Sequence, residues 1–170
     1  MKNKLYSRRS LNVYNTPLEI GLRVLIILNE LSEKSIDLNR LVIYDYFVNH
    51  SSDFDETSKS LRPSIPHRSG ELIIKRKVIQ EGIYLMYSRE LLDILYTPNG
   101  IYFKSNQLTK AFLEYFDSVH ALELSRNSKI VVENFKNYSD DELNLYVNNN
   151  LSKWGSEFTK ESLVRGWFNE

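Results

Sequence analysis

The stretch HRSGELIIKRKVIQEGIYLMYSRELLDILYTPNGIYFKS, residues His67 to Ser105, decides the fold, because it reads as a helix running into a tight hairpin. Ile74, Val78, Ile79, Leu85 and Met86 recur at spacings of three, four and seven, while Lys77, Gln80, Tyr84 and Ser88 share the opposite face. One face is expected to pack and the other to meet a partner. After Glu90 the pattern changes to a period of two, with Leu92, Ile94 and Tyr96 on one side, and Pro98-Asn99-Gly100 leads into Ile101 and Phe103. Asn99-Gly100 is expected at the centre of the turn, since both central residues of such a hairpin need positive φ.

Upstream, Thr16-Pro17 opens a first helix. The threonine caps exposed amides, proline at the first helical position loses no hydrogen bond, and Glu19 completes a capping box. Leu18, Leu22, Leu25, Ile26 and Leu31 form its apolar stripe, with Arg23 and Glu30 expected on the wet side. Ser35-Ile36-Asp37 reads as a short bridging strand whose aspartate caps a second helix from Leu38 to about Val48. That helix is apolar around most of its circumference, and Arg40 and Asp45 are the exceptions. They are either partner contacts or side chains that hold the fold together, and the second reading is preferred.

Residues 49–69 form the longest stretch without a periodic pattern, and loops of about 20 residues in a compact domain are usually functional or disordered. His50 and His67 with Asp53 and Asp55 resemble a metal cluster only superficially, since no helical or hairpin spacing fixes them as metal geometry demands. No metal or other cofactor is expected, and neither a Gly-rich phosphate loop nor a positioned nucleophile is present. Downstream of the hairpin, Ser105 or Asn106 caps a helix with Leu108, Ala111, Phe112, Tyr115 and Phe116. A further helix follows from about Val119 to Phe135, with Leu122, Leu124, Val131, Val132 and Phe135 as its apolar positions. Ser139-Asp140-Asp141-Glu142 opens a tail helix with Leu143, Val147, Leu151 and Trp154 at spacings of four, four and three. Trp154, Trp167 and Phe168 are either aromatic anchors for a partner or fold back onto the domain.

The expected class is mainly α with a small β-hairpin: a winged-helix-like domain with C-terminal helices. The organisation read from the sequence is a basic arm over 1–14, the winged-helix-like domain over 15–138 and a helical tail over 139–170. Zero cysteines exclude disulfides, thiolate nucleophiles and Cys-based metal sites. No apolar run reaches membrane-spanning length, so no membrane partner is expected and the cytoplasm is the expected location. The net charge is +0, but it is unevenly spread. Lys2, Lys4, Arg8 and Arg9 stand without an acid in the first 15 residues, and 68–110 is also basic, whereas 117–170 is acidic.

Three blocks, Asn15-Thr16-Pro17-Leu18-Glu19-Ile20-Gly21-Leu22-Arg23, Leu38-Asn39-Arg40-Leu41-Val42-Ile43-Tyr44-Asp45-Tyr46 and Pro66-His67-Arg68-Ser69-Gly70-Glu71-Leu72, carry a family resemblance. Across about Asn15 to Phe135 the chain resembles the middle component of bacterial ABC-three-component systems, with the small middle subunit of Lamassu-type anti-phage systems as the related comparison. The resemblance implies a non-enzymatic subunit that docks on an SMC/Rad50-like ABC ATPase and couples DNA sensing to an effector subunit such as a nuclease. It also implies shared structural or interface roles for Arg40, Asp45, His67, Arg68 and Glu71. The basic N-terminal ten residues and the tail beyond Tyr138 lie outside it.

A second reading is an autonomous winged-helix DNA-binding protein or transcription regulator. Lys75, Arg76 and Lys77 on the helix and Lys104 on the wing would then be the DNA contacts, alone or within the complex on double-stranded DNA. Against it, Ile73 and Ile74 adjoin the basic triplet, and no Asn, Gln or Arg series presents base-reading groups.

Overall fold

The computed structural model describes residues 15–63, 65 and 68–154. His67, Trp167, Phe168 and the basic arm lie outside the described residues. The elements, in chain order, are α1 (Pro17–Glu30), β1 (Ile36–Asp37), α2 (Leu38–Asn49), α3 (Glu71–Tyr87), β2 (Asp93–Thr97), β3 (Gly100–Lys104), α4 (Gln107–Leu113), α5 (Val119–Phe135) and α6 (Asp140–Asn150). Short 3-10 turns at Ser51–Asp53 and Arg68–Gly70 sit at the two ends of the long loop. The molecule is mainly α with a small β-hairpin, as the sequence predicts, and β1 joins the hairpin to give an antiparallel sheet of order β1-β3-β2.

The helix starts follow from local chemistry. Thr16 Oγ1 accepts from the Glu19 amide at 3.2 Å, while the Glu19 carboxylate accepts from the Asn15 amide at 2.7 Å, one residue earlier than a simple capping box requires. Asp37 caps α2, Asn106 caps α4 and Ser139 caps α6, the last two with reciprocal side-chain bonds.

The hairpin turn differs from expectation by one residue. Thr97 pairs with Gly100, so Pro98 and Asn99 are the central residues and only Gly100 has positive φ, at 138°. Proline cannot reach positive φ, which excludes the turn type expected for Asn99-Gly100. Thr97 Oγ1 closes the turn instead, accepting from Asn99 N at 3.2 Å and donating to the Gly100 carbonyl at 3.0 Å. The register places Ile36, Phe103 and Ile94 in one row across the sheet. Phe103 and Ile36 are buried, whereas Tyr96 and Ile101 at the hairpin tip are exposed.

α1 and α2 each pack against both α3 and α5. The packed face of α3 is Lys75, Ile79, Gly82, Ile83 and Met86, so Ile74, expected inside, lies outside. Close approach to α1 sets this rotation. A methyl on Gly82 would lie 2.9 Å from the Gly21 amide nitrogen and 3.0 Å from the Pro17 carbonyl oxygen, so only glycine lets the two backbones meet there.

Two further apolar assignments change. α4 ends at Leu113, which leaves Tyr115 outside any helix and 86% exposed, and Leu122 faces solvent. Trp154, by contrast, is buried in the core beside Tyr46 and Phe47, with ring centroids at 5.2 and 5.5 Å. Phe47 is the hub of this cluster: Phe135 stacks on it at 4.9 Å, and Phe54 and Tyr146 meet its edge. Leu143 and Val147 of α6 belong to the same core.

Gly82→Ala is expected to destabilise the fold by about 1–3 kcal/mol, because the added methyl meets backbone that has no alternative position. Gly21→Ala should cost less, since its methyl meets the flexible end of Met86 first. Urea unfolding of both variants would test the order.

A candidate functional site where three sequence blocks meet

Arg23 was expected on the wet side of α1 and is instead only 2% exposed. Its Nε donates to Asp45 Oδ1 at 2.7 Å and its Nη2 to Oδ2 at 3.3 Å, while Nη1 donates to Glu19 Oε1 at 2.8 Å. Asp45 is fully buried on α2. A lone buried charge is very costly, so an arginine in an apolar layer requires a carboxylate partner. Burial works against the Arg23 charge, but Asp45 and Glu19 more than offset it and hold the guanidinium above its ordinary value. Asn49 Nδ2 donates to the Asp45 carbonyl at 2.6 Å, satisfying the backbone beside the pair.

The long loop is tied down on both sides of this pair. Leu61 and Arg62 donate their amides to the Asn49 carbonyl, and the Arg62 side chain reaches Asn15 Oδ1 at 2.7 Å and Glu19 Oε1 at 3.3 Å. Asn127 of α5 donates to the carbonyls of Val48 and Lys59. Residues 49–62 are thus folded back on themselves rather than structureless, because their polar groups find partners within the domain.

At the loop's other end, Arg68 grips the Asp53 carboxylate through Nε at 3.0 Å and through Nη2. Tyr46 donates its hydroxyl to Asp53 Oδ2 at 2.6 Å, and Trp154 Nε1 donates to the Asp53 carbonyl at 3.2 Å. Burial, reinforced by the neighbouring Asp53 carboxylate, pushes the Tyr46 phenol up, which keeps it a donor. His50 Nε2 lies 3.4 Å from Glu71 Oε2, and Lys75 pairs with the same carboxylate. Burial pushes the Glu71 carboxyl up, but bonds from His50 and Lys75 outweigh it and hold the group at about 2. Above these groups lies a cleft of about 830 Å³ with Arg23, Asn49 and His50 at its base and Leu61, Arg62, Ile65, Glu71 and His120 among its walls.

The three sequence blocks that carry the family resemblance therefore converge. Asn15, Glu19 and Arg23 come from the first, Asp45 and Tyr46 from the second, and Arg68 and Glu71 from the third. The charges neutralise one another in pairs, so the arrangement acts chemically as a lock on the loop and helix geometry. Arg40 belongs to a separate clamp: it donates to Asp140 Oδ1 at 2.7 Å and to the Tyr138 carbonyl at 2.6 Å, joining α2 to the start of α6. Glu19, His50 and Asp53 escaped the sequence reading as members of this network. The signal available was that Arg23 and Asp45 each interrupt an otherwise apolar helix.

The remaining candidates divide. Trp154 is core, so a role as an exposed anchor is corrected. Lys75 is turned inward onto Glu71 and not towards DNA, because α3 presents that face to α1 and α2. Arg76 and Lys77 are exposed. Lys104 is engaged by Glu33 at 2.6 Å. Among the described residues, no group of three or more His, Asp or Glu side chains is placed to hold a metal ion.

Removing one partner of the buried pair, as in Asp45→Ala, should cost roughly 3–5 kcal/mol in urea unfolding. For Glu71, the folded value of about 2 lies below the ordinary 4.5. Its contribution is therefore complete above about pH 4.5 and is lost as pH falls towards 2. It should amount to roughly 2–3 kcal/mol, and Glu71→Gln should flatten the pH dependence of the urea midpoint in that window.

The model of the family described as ABC-three component (ABC-3C) system Middle Component 2 matches residues 13–157. The matched span includes α6 and Trp154 as well as the three blocks. Comparison with curated proteins and with solved structures found no match in either. By this match, which covers most of its length, the chain belongs to the Middle Component 2 family of ABC-three-component systems.

Proposed function

We propose that this subunit is a non-catalytic adaptor that docks on an SMC/Rad50-like ABC ATPase through the outer face of α3 and couples DNA sensing to an effector such as a nuclease. The observation that carries the reading is the exposure of Ile73 and Ile74, at 83% and 76%, on a helix whose other face is packed. Tyr84 and Tyr87 extend the same outer surface. Burying each isoleucine against a partner would contribute about 1.5–3 kcal/mol, and tyrosine is a favoured interface residue. Family membership supplies the multi-component setting. Within this reading the domain is a winged-helix-like scaffold, related in role to the small middle subunit of Lamassu-type systems, and it acts in the cytoplasm. No helix among the described residues is long and apolar enough to cross a membrane.

One observation favours a DNA contact: Arg76 and Lys77 project beside the exposed isoleucines. With Lys75 inward and Lys104 engaged by Glu33, two of the four candidate cations remain free for phosphate, which supports contact to DNA within the assembly over autonomous binding. The isolated chain should then show negligible affinity for duplex DNA at low salt. Tight binding that falls steeply with salt would favour the regulator reading.

Co-expression with the ATPase encoded beside it should yield a complex that the I73D/I74D double variant disrupts while its circular dichroism is unchanged. Purification as an indifferent monomer, with no loss of phage or plasmid resistance on deletion, would overturn the adaptor reading.

A further inference from the structure

The corner where α4 gives way to α5 carries apolar surface that internal packing does not use. α4 stops at Leu113, Glu114 to Asp117 form the exposed connection, and α5 restarts at the Ser118 cap with Val119 and Leu122 of its first turn exposed. Leu108, Tyr115, Val119 and Leu122 are each half-exposed or more, and Phe116 is partly exposed. Phe116 and Leu122 also line a cleft of about 290 Å³, whose apolar lining further includes Ile26 and Leu113. Exposed apolar surface concentrated in this way marks an interaction site more often than chance.

The rim is acidic. Glu30 and Glu114 line the cleft with Lys110 as its one cation, and Asp117 lies in the connecting turn. Among the described residues, Glu114 and Asp117 have no ion-pair partner. Glu30 is reached by the Ser125 hydroxyl at 2.9 Å. The outer face of α3 has the opposite character, with Arg76 and Lys77 beside its exposed isoleucines.

We propose that the α4–α5 corner is a second docking surface, whose occupant is an amphipathic protein segment with an apolar stripe flanked by lysine or arginine. Apolar side chains fill the cleft over Ile26, and the flanking cations pair with Glu114 and Asp117. One small chain then holds two partners by chemically distinct faces, and neither face can substitute for the other.

The test uses two synthetic helical peptides with the same leucine stripe, one with lysine flanks and one with glutamate flanks, titrated onto the full-length chain by fluorescence anisotropy. The lysine peptide should bind at least about tenfold more tightly. L122D should weaken that binding by about tenfold or more, and E114K/D117K should reverse the preference. These residues are exposed, so the variants should melt like the parent. The I73D/I74D variant should leave peptide binding unchanged, which separates failure of this surface from failure of the α3 surface. Equal binding of the two peptides, or indifference to L122D, overturns the proposal. A concentration-dependent dimer that L122D dissociates would assign the corner to a second copy of the chain and likewise overturn it.

Discussion

The Arg23–Asp45 pair is the constraint on which the rest of this structure depends. It places a full positive and a full negative charge in the layer where α1 meets α2, and such charges are tolerable only when each hydrogen-bonding group is satisfied. Glu19 occupies the remaining guanidinium nitrogen, and Asn49 covers the adjoining carbonyl. Helices α3 and α5 pack on the layer so formed, and Arg62 anchors the returning loop to the start of α1.

The second network, around Asp53 and Glu71, extends that constraint to the entry of α3. Arg68 and Tyr46 share the Asp53 carboxylate, while His50 and Lys75 share Glu71, so the loop delivers α3 at a fixed angle and rotation. Gly82 against Gly21 then lets the backbones close. Together these set which side of α3 faces out, and hence why Ile73, Ile74, Arg76 and Lys77 are exposed while Lys75 is not. Interior polar bonds in this way determine the composition of an exterior surface. The α4–α5 corner owes its exposure to a simpler cause, the early end of α4 at Leu113.

Helix positions were legible because their signals are local. Thr16-Pro17, Asp37, Asn106 and Ser139 each cap a helix through atoms within three or four residues, and the helix periods that follow need no tertiary knowledge. The rotation of α3 was not legible, since Ile74 and Ile79 read as one apolar face, and only the close approach of Gly82 to α1 turns Ile79 inward and leaves Ile74 outside. The hairpin turn was misplaced by one residue for a local reason: Pro98 would flank an Asn99-Gly100 turn and has no amide hydrogen to donate to the strand pair there. Of the candidate site, Asp45 stood out as a charge in an apolar helix, whereas Arg68 and Glu71 came only from the family resemblance. The pairing of Arg23 with Asp45, and the partners Asp53 and His50, gave no sign, because ion pairs spanning 15 to 22 residues leave no periodic trace.

By itself, then, the sequence determined the helical class, the element order, the caps and the family, all of which rest on interactions within a few residues or on the three blocks read together. Only the tertiary structure decided that those blocks meet in two adjoining polar networks, that Trp154 and Lys75 face inward, and that Ile73, Ile74, Val119 and Leu122 face outward. Each of these depends on which distant surface covers a side chain, and burial is a property of the assembled chain that no local spacing encodes.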